Sequence, residues 1–120
     1  MKALLIVAHV SSRHAYKLEV VEMAEKIKAR PDNHFDIVET AFLELADTLI
    51  PDGIEQCARS GATQIVIMPY FLNSGRHVTE DIPAVIASIK PLYPDITITV
   101  TDHLGASGAM ADLVMQTVSG

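Results

Sequence analysis

Four short runs of apolar and β-branched residues divide the chain. They read ALLIVAH, FDIVETAF, QIVIMPYFL and ITITVTD, at residues 3–9, 35–42, 64–72 and 96–102. The first and third runs are almost continuous in Leu, Ile, Val and Met, which is typical of strands covered on both faces. We therefore predict four strands of a largely buried sheet.

Helical patterns follow these runs at residues 14–30, 51–62, 79–94 and 107–118. In the first helix, apolar positions spaced by three and four residues predict a face that contains Leu18, Val21, Ala24 and Ile27, with Lys28 beside it. In the last helix, the same spacing predicts an apolar face made by Met110, Leu113, Val114 and Val118. Each pattern is long enough to cover part of a sheet.

Turn and cap signals mark the ends of these helices. The second helix has a proline in its first turn and stops at Gly61. The third opens with Thr79, Glu80 and Asp81, which suit a helix N-terminus, and tolerates Pro83 only because that residue falls in its first turn. Residues 79–94 are therefore predicted to be helical until a proline closes the element.

The order β-α-β-α-β-α-β-α predicts one parallel sheet with right-handed crossovers and helices on both faces. No linker, repeat or low-complexity segment interrupts residues 1–120, so we expect a single domain. The fold class is α/β, a four-stranded, flavodoxin-like three-layer sandwich. The commonest strand order for such a sheet is 2-1-3-4, which makes strands one and three neighbours and places the switch point between them.

Three side chains able to bind metals or accept protons follow three of these strands. His9 ends the first strand, Glu44 follows the second, and His77 comes a few residues after the third. Because ligands bind outside the carboxyl ends of the strands at the switch point, we expect the three at one crevice. Imidazole and carboxylate suit divalent cobalt, nickel, iron and zinc, and three ligands with open positions suit a transient or catalytic metal.

Simpler roles remain open for each histidine. A histidine that caps a strand or binds a loop carbonyl would explain His9, and a helix-start role would explain His77. His34 precedes the second strand at the opposite edge and His14 begins a helix, so both are interpreted as surface residues. His103 follows the fourth strand and reaches the carboxyl edge, farther from the switch point.

The sequences of the loops around these histidines argue against two other kinds of site, a serine hydrolase site and a nucleotide site. Ser11 and Ser12 follow the first strand without a G-x-S-x-G elbow, which disfavours a serine hydrolase. No glycine-rich phosphate loop or Walker lysine follows any strand, which disfavours nucleotide binding. Arg13 and Arg76 lie within four residues of a candidate histidine and are either contacts for ligand carboxylates or solvated loop charges.

Composition and charge limit the kinds of partner that this protein is expected to bind. The formal net charge of −6 at pH 7 argues against nucleic acid, which favours a basic surface. No apolar run reaches the ~20 residues of a membrane span, and the N-terminal run is too short for a signal sequence, so a cytoplasmic location is expected. Cys57 is the only cysteine, which rules out an internal disulfide or thiolate cage and favours a buried apolar role.

These motifs together resemble the small, single-domain sirohydrochlorin cobaltochelatase and ferrochelatase family. The resemblance lies in ALLIVAH with a serine and an arginine after it, in AFLELA, in PYFLNSGRHVTEDIP and in the GA after the fourth strand, and it covers nearly the whole chain. Members insert Co²⁺, Ni²⁺ or Fe²⁺ into sirohydrochlorin on the routes to cobalamin, coenzyme F430 and siroheme. The resemblance therefore implies a metal chelatase that needs no cofactor beyond its divalent metal substrate.

By this resemblance, metal handling and proton acceptance fall to His9, His77 and Glu44. The residues implied in binding the tetrapyrrole are Arg13, Arg76, Ser11 and Ser12. The family usually has His-Gly-Ser-Arg after the first strand, whereas this chain has Val10 in place of the glycine and an extra serine, so either serine can stand for the family residue.

The resemblance also implies a homodimer, because longer members carry two such domains around one cleft. Two alternatives stay open. One is a metal or tetrapyrrole carrier with the same crevice and no turnover, and the other is a flavodoxin-like protein whose histidines are structural.

Overall fold

The computed structural model describes residues 1–10, 14–44 and 48–119, with Val10 and Glu44 described by their backbone alone. The strands are β1 (Lys2–Val10), β2 (Ile37–Glu44), β3 (Gln64–Pro69) and β4 (Thr97–Val100). The α-helices are α1 (His14–Lys28), α2 (Ile50–Arg59), α3 (Ile82–Ile89) and α4 (Met110–Ser119). A π-helical turn (His77–Asp81) leads into α3, and 3₁₀ turns lie at Lys90–Leu92 and Leu104–Ala106.

The four strands form one parallel sheet in the order β2-β1-β3-β4, which confirms the predicted topology. β1 pairs with both β2 and β3, and its residues Leu5, Ile6 and Val7 are fully buried. Because alternate side chains of a strand point to opposite faces, β1 contributes to both apolar layers of the molecule. Leu5 and Val7 pack with α2 and α3, whereas Leu4 and Ile6 pack with α1.

Several elements begin or end at residues other than those predicted. The third strand stops at Pro69 rather than at residue 72, because proline has no N–H to continue the ladder. The third helix begins earlier than predicted, since the π turn starts at His77 and continues directly into α3. Gly61 has a φ of 99° just beyond α2, in the left-handed region that glycine favours after a helix.

The buried face of α1 is rotated from the predicted one. Val20 and Ala24 are buried, whereas Leu18 is 45% exposed. Val21 and Ile27 are partly buried. The sequence contains two overlapping apolar stripes at helical spacing, and the sheet accepts the one through Val20 and Ala24.

α4 is the largest departure from expectation. Its apolar residues form a face as predicted, but Leu113, Val114 and Val118 are each more than half exposed. No residue of α4 is buried, and it makes no extensive contact with the other helices and strands of the described part of the chain. None of the helices within the described ranges is long and apolar enough to cross a membrane.

We expect Val20→Ala to lower the free energy of unfolding by about 2 kcal/mol, from lost apolar burial and the cavity left beneath α1. The matched variant Leu18→Ala should change it by no more than about 0.5 kcal/mol, because that side chain is largely solvated. Urea denaturation followed by circular dichroism measures both. A larger loss for Leu18→Ala would contradict the observed orientation of α1.

Candidate functional site

The candidate site lies at the carboxyl edge of the sheet, where β1 and β3 end side by side. His9 is the last residue but one of β1. Beyond β3, the backbone N–H of Tyr70 donates to the carbonyl of Val7 at 2.8 Å, so the exit from β3 stays against β1. The chain then returns through residues 71–76 into the π turn that begins at His77. This path brings the two histidines together from distant parts of the sequence.

The imidazole rings of His9 and His77 lie against one another. Their centroids are 4.0 Å apart and their planes are tilted by 37°. The ring of Phe71 also stacks with that of His77, with centroids 6.4 Å apart and planes tilted by 27°. Both histidines are partly exposed, so solvent or a ligand can reach them. The structure therefore brings the two predicted imidazoles together at one edge of the sheet.

Asp81 fixes the orientation of His77. The two residues are one turn apart, and Nδ1 of His77 lies 2.7 Å from Oδ2 of Asp81. An ionised carboxylate only accepts hydrogen bonds, so Nδ1 carries the hydrogen and donates it. In the neutral ring, a hydrogen on Nδ1 leaves the lone pair on Nε2. That nitrogen is the one that can bind a metal or accept a proton.

Sequence reasoning assigned Asp81 only to the start of a helix. The structure makes it the partner of His77, and the signal that could have revealed this is the four-residue spacing of the two residues on one helical face. The side chains of the pair are 38% and 42% exposed. The contact therefore orients the ring in a partly solvated setting.

Two shallow cavities flank the histidine pair. One of about 300 Å³ is lined by Leu43, His77, Asp81, Ala84 and Val85. The other, of about 240 Å³, is lined by Tyr70, Phe71, Leu72 and Leu104. Pockets that bind small molecules usually have volumes of about 300–1,000 Å³, so both cavities lie at or below the lower end of that range. At this edge the histidine pair therefore lies beside small, largely apolar depressions and not within an enclosed pocket.

The structure describes the other predicted site residues only in part. β2 ends at Glu44, whose backbone pairs with Val10, so its Cα lies at the same edge, while its side chain is outside the described residues. Ser11, Ser12 and Arg13 also lie outside the described residues. Among the residues that the structure describes, no three His, Cys, Asp or Glu side chains are arranged to hold one metal ion together. The ligand set that includes Glu44 stays a prediction.

Arg76 is highly exposed, and its Nε lies 3.2 Å from Oε2 of Glu80. This is an ion pair along the first turns of the third helix, and the role of Arg76 toward a ligand stays a prediction.

The other histidines and the cysteine behave as expected from the sequence. His14 and His34 are exposed, and His34 stacks on Phe35 at 5.3 Å. His103 is partly buried just before the Leu104–Ala106 turn. Cys57 is fully buried on the inner face of α2, and this burial, with a smaller contribution from the charge of Glu39, raises the pKa of its thiol to about 11. The thiol is therefore neutral near pH 7.

The chain is thus a parallel α/β sandwich with two imidazoles paired at its switch point, an open candidate site for a ligand. The chain belongs to the CbiX family, whose model matches residues 3–120. This match extends over both the sheet and the site.

Three known proteins illustrate the similarity. The chain is 41% identical over 86 residues to a sirohydrochlorin cobaltochelatase of Methanococcus maripaludis, covering 72% of this chain and 58% of that one. It is 31% identical over 123 residues to one of Methanosarcina barkeri, covering 96% and 92%. The crystal structure of the sirohydrochlorin chelatase SirB from Bacillus subtilis subspecies spizizenii, in complex with cobalt, matches with a TM-score of 0.84 and 30% identity.

The SirB match covers 98% of this chain and 50% of that one. The chain thus spans about half the length of SirB and somewhat more than half of the Methanococcus protein.

Replacing Asp81 by asparagine should weaken Co²⁺ binding about 10- to 100-fold, because a neutral amide oxygen replaces the charged acceptor that orients His77 and raises the basicity of its ring. Titration of the Co²⁺ absorption bands under anaerobic conditions measures the dissociation constant. Glu80→Gln is the matched control, since it removes the same charge one residue away. Equal weakening by both variants would show that net charge, and not the orientation of the ring, controls binding.

Proposed function

We propose that this chain inserts a divalent metal, Co²⁺ or else Ni²⁺ or Fe²⁺, into sirohydrochlorin, on a cytoplasmic route to cobalamin, siroheme or coenzyme F430. The observation on which the proposal depends is the contact between the rings of His9 and His77, with Asp81 bonded to the latter. The names of the relatives, sirohydrochlorin cobaltochelatase and sirohydrochlorin chelatase, support the substrate.

Metal insertion requires a partly desolvated ion at one face of the macrocycle and the removal of two pyrrole protons. One imidazole of the pair can hold the ion through a ring nitrogen while the other accepts a proton. Neutral imidazole is abundant near pH 7, so a histidine pair suits both tasks. When His77 accepts a proton at Nε2, the carboxylate of Asp81 stabilises the resulting imidazolium.

Glu44 is proposed as a third group at this edge, as either a metal ligand or a proton acceptor. Its support is the end of β2 beside the end of β1, where the backbone of Glu44 pairs with that of Val10. A carboxylate there would help to neutralise the divalent ion during transfer. No nucleotide or further cofactor enters this scheme.

Sirohydrochlorin is a polycarboxylate, and the chain has a formal net charge of −6, so local cations must offset the repulsion. Arg13 and Arg76 are proposed for this role, with Ser11 or Ser12 as hydrogen-bond donors. The ion pair of Arg76 with Glu80 is highly exposed, and exposed pairs contribute little. Arg76 can therefore exchange Glu80 for a substrate carboxylate at small cost.

We propose a homodimer with the cleft between the protomers. The flanking cavities of about 300 and 240 Å³ are too small to enclose a tetrapyrrole, so a second surface is needed. α4 presents four large apolar side chains that are 52 to 71% exposed, Leu113, Val114, Met115 and Val118, which is typical of a surface that another chain covers. If two copies cover each other's α4 through the same apolar surface, the assembly is a two-fold dimer.

His77→Ala should lower the initial rate of sirohydrochlorin metallation by about 100-fold or more, because it removes a ligand and a proton acceptor at once. An anaerobic absorbance time course with Co²⁺ measures this rate. His34→Ala, at an exposed histidine before β2, should leave it unchanged.

Two outcomes of that assay would contradict the enzyme proposal. Binding of the macrocycle or the metal without multiple turnovers would instead identify a carrier. Equal rates in the wild type, in His77→Ala and in a control without enzyme would indicate that the histidines are structural.

The dimer proposal predicts a mass of twice 13.0 kDa by light scattering after size-exclusion chromatography. Val114→Glu should shift the protein to the monomer, because it places a charge within the apolar face of α4. Gln116→Glu adds a charge on the polar side of the same helix and should leave the dimer intact. A monomeric wild type, or a Val114→Glu variant that is still dimeric, would contradict the proposed interface.

A further inference from the structure

The connection from β4 to α4 touches the segment that leads to His77. Within the Leu104–Ala106 turn, the backbone N–H of Gly105 donates to the carbonyl of Phe71 at 2.9 Å. The turn is itself braced, because the N–H of Ala106 donates to the carbonyl of His103 at 3.0 Å. The loops after β3 and β4 are therefore joined at the carboxyl edge of the sheet.

The approach at Gly105 is too close for any side chain. A Cβ atom there would lie 1.8 Å from the carbonyl oxygen of Leu72 and 2.5 Å from its carbonyl carbon, whereas contacts under 3.0 Å essentially do not occur. The obstacle is backbone, so no change of rotamer can relieve it. Gly105 does not have a positive φ, which means that close approach alone requires the glycine. Gly108, in the same connection, would meet nothing within 4 Å.

Phe71 transmits this contact to the histidine pair. Its carbonyl accepts the bond from Gly105, and its ring stacks on that of His77 with centroids 6.4 Å apart. His77 in turn lies against His9. We propose that Gly105 is a positioning residue for the histidine pair: its missing side chain lets the turn hold Phe71 in place, and Phe71 sets the position of His77.

The kinetic consequence rests on the proposed function. An alanine at 105 must push the two loops apart by about 1 Å, and a displacement of that size costs about 100-fold in rate at a reacting centre. Gly105→Ala should therefore lower kcat for metallation about 10- to 100-fold and change KM for sirohydrochlorin much less, because Arg76 is the one proposed macrocycle contact that lies in the displaced segment. Gly108→Ala is the matched control and should keep the wild-type kcat.

A second readout does not depend on activity. Each ring of the histidine pair lies in the ring current of the other, so displacement of Phe71 should shift the ¹⁵N and ¹H ring resonances of His9 and His77. The resonances of His34 should not move, and Gly108→Ala should leave all three as in the wild type. If the wild type does not metallate sirohydrochlorin, the proposed function fails, while these spectra still test the role of Gly105. Wild-type ring resonances in Gly105→Ala would overturn the inference.

Circular dichroism establishes whether Gly105→Ala folds. If it does not, Phe71→Leu provides the test, since it keeps the carbonyl that Gly105 binds and removes the ring beside His77. Loss of the Phe71 ring current shifts the His77 resonances by itself, so the readout is His9, whose ring contacts that of His77. The inference then requires shifted His9 resonances in Phe71→Leu, with kcat lowered about 10-fold where the wild type is active. Unchanged His9 resonances in that variant would overturn it.

Discussion

The parallel pairing of β1 with β3 is the constraint on which the site depends. Two parallel neighbours end at the same edge of a sheet, so whatever follows β3 meets the end of β1. The bond from the N–H of Tyr70 to the carbonyl of Val7 extends this pairing beyond Pro69, where the ladder stops. Without that neighbour relation, His9 and His77 would belong to unrelated loops. The fully buried residues of β1 hold the edge rigidly in place.

The sequence predicted the features that follow from strand order, and it missed the features that depend on packing between helices and strands. Continuous apolar runs identified β1 and β3, and strand order then brought His9 and His77 to one edge. Which stripe of α1 faces the sheet could not be read from spacing, because Leu18 and Val20 lie on overlapping stripes and only packing against β1 and β2 selects Val20.

Two further differences have the same origin. Asp81 was expected to act as a helix-start residue, yet an additional turn places His77 inside the helix, where the four-residue spacing lets the two side chains meet. α4 has the apolar pattern of a helix that packs on its own sheet, yet it stays exposed. Periodicity reports that a face is apolar, and it does not say whether the same chain or another covers that face.

An open site is what chemistry on a metal substrate requires. Closed sites with four protein ligands retain their ions, whereas open positions allow exchange. The side chains of His77 and Asp81 are partly exposed, and two imidazoles would bind an ion less tightly than a full cage of four protein ligands. Under the proposed function, a metal held in this way is passed to four pyrrole nitrogens, which then outcompete the protein. The precision needed for that transfer must come from the backbone around the pair, at Tyr70 on one side and at Gly105 on the other, since the side chains themselves are only half-buried.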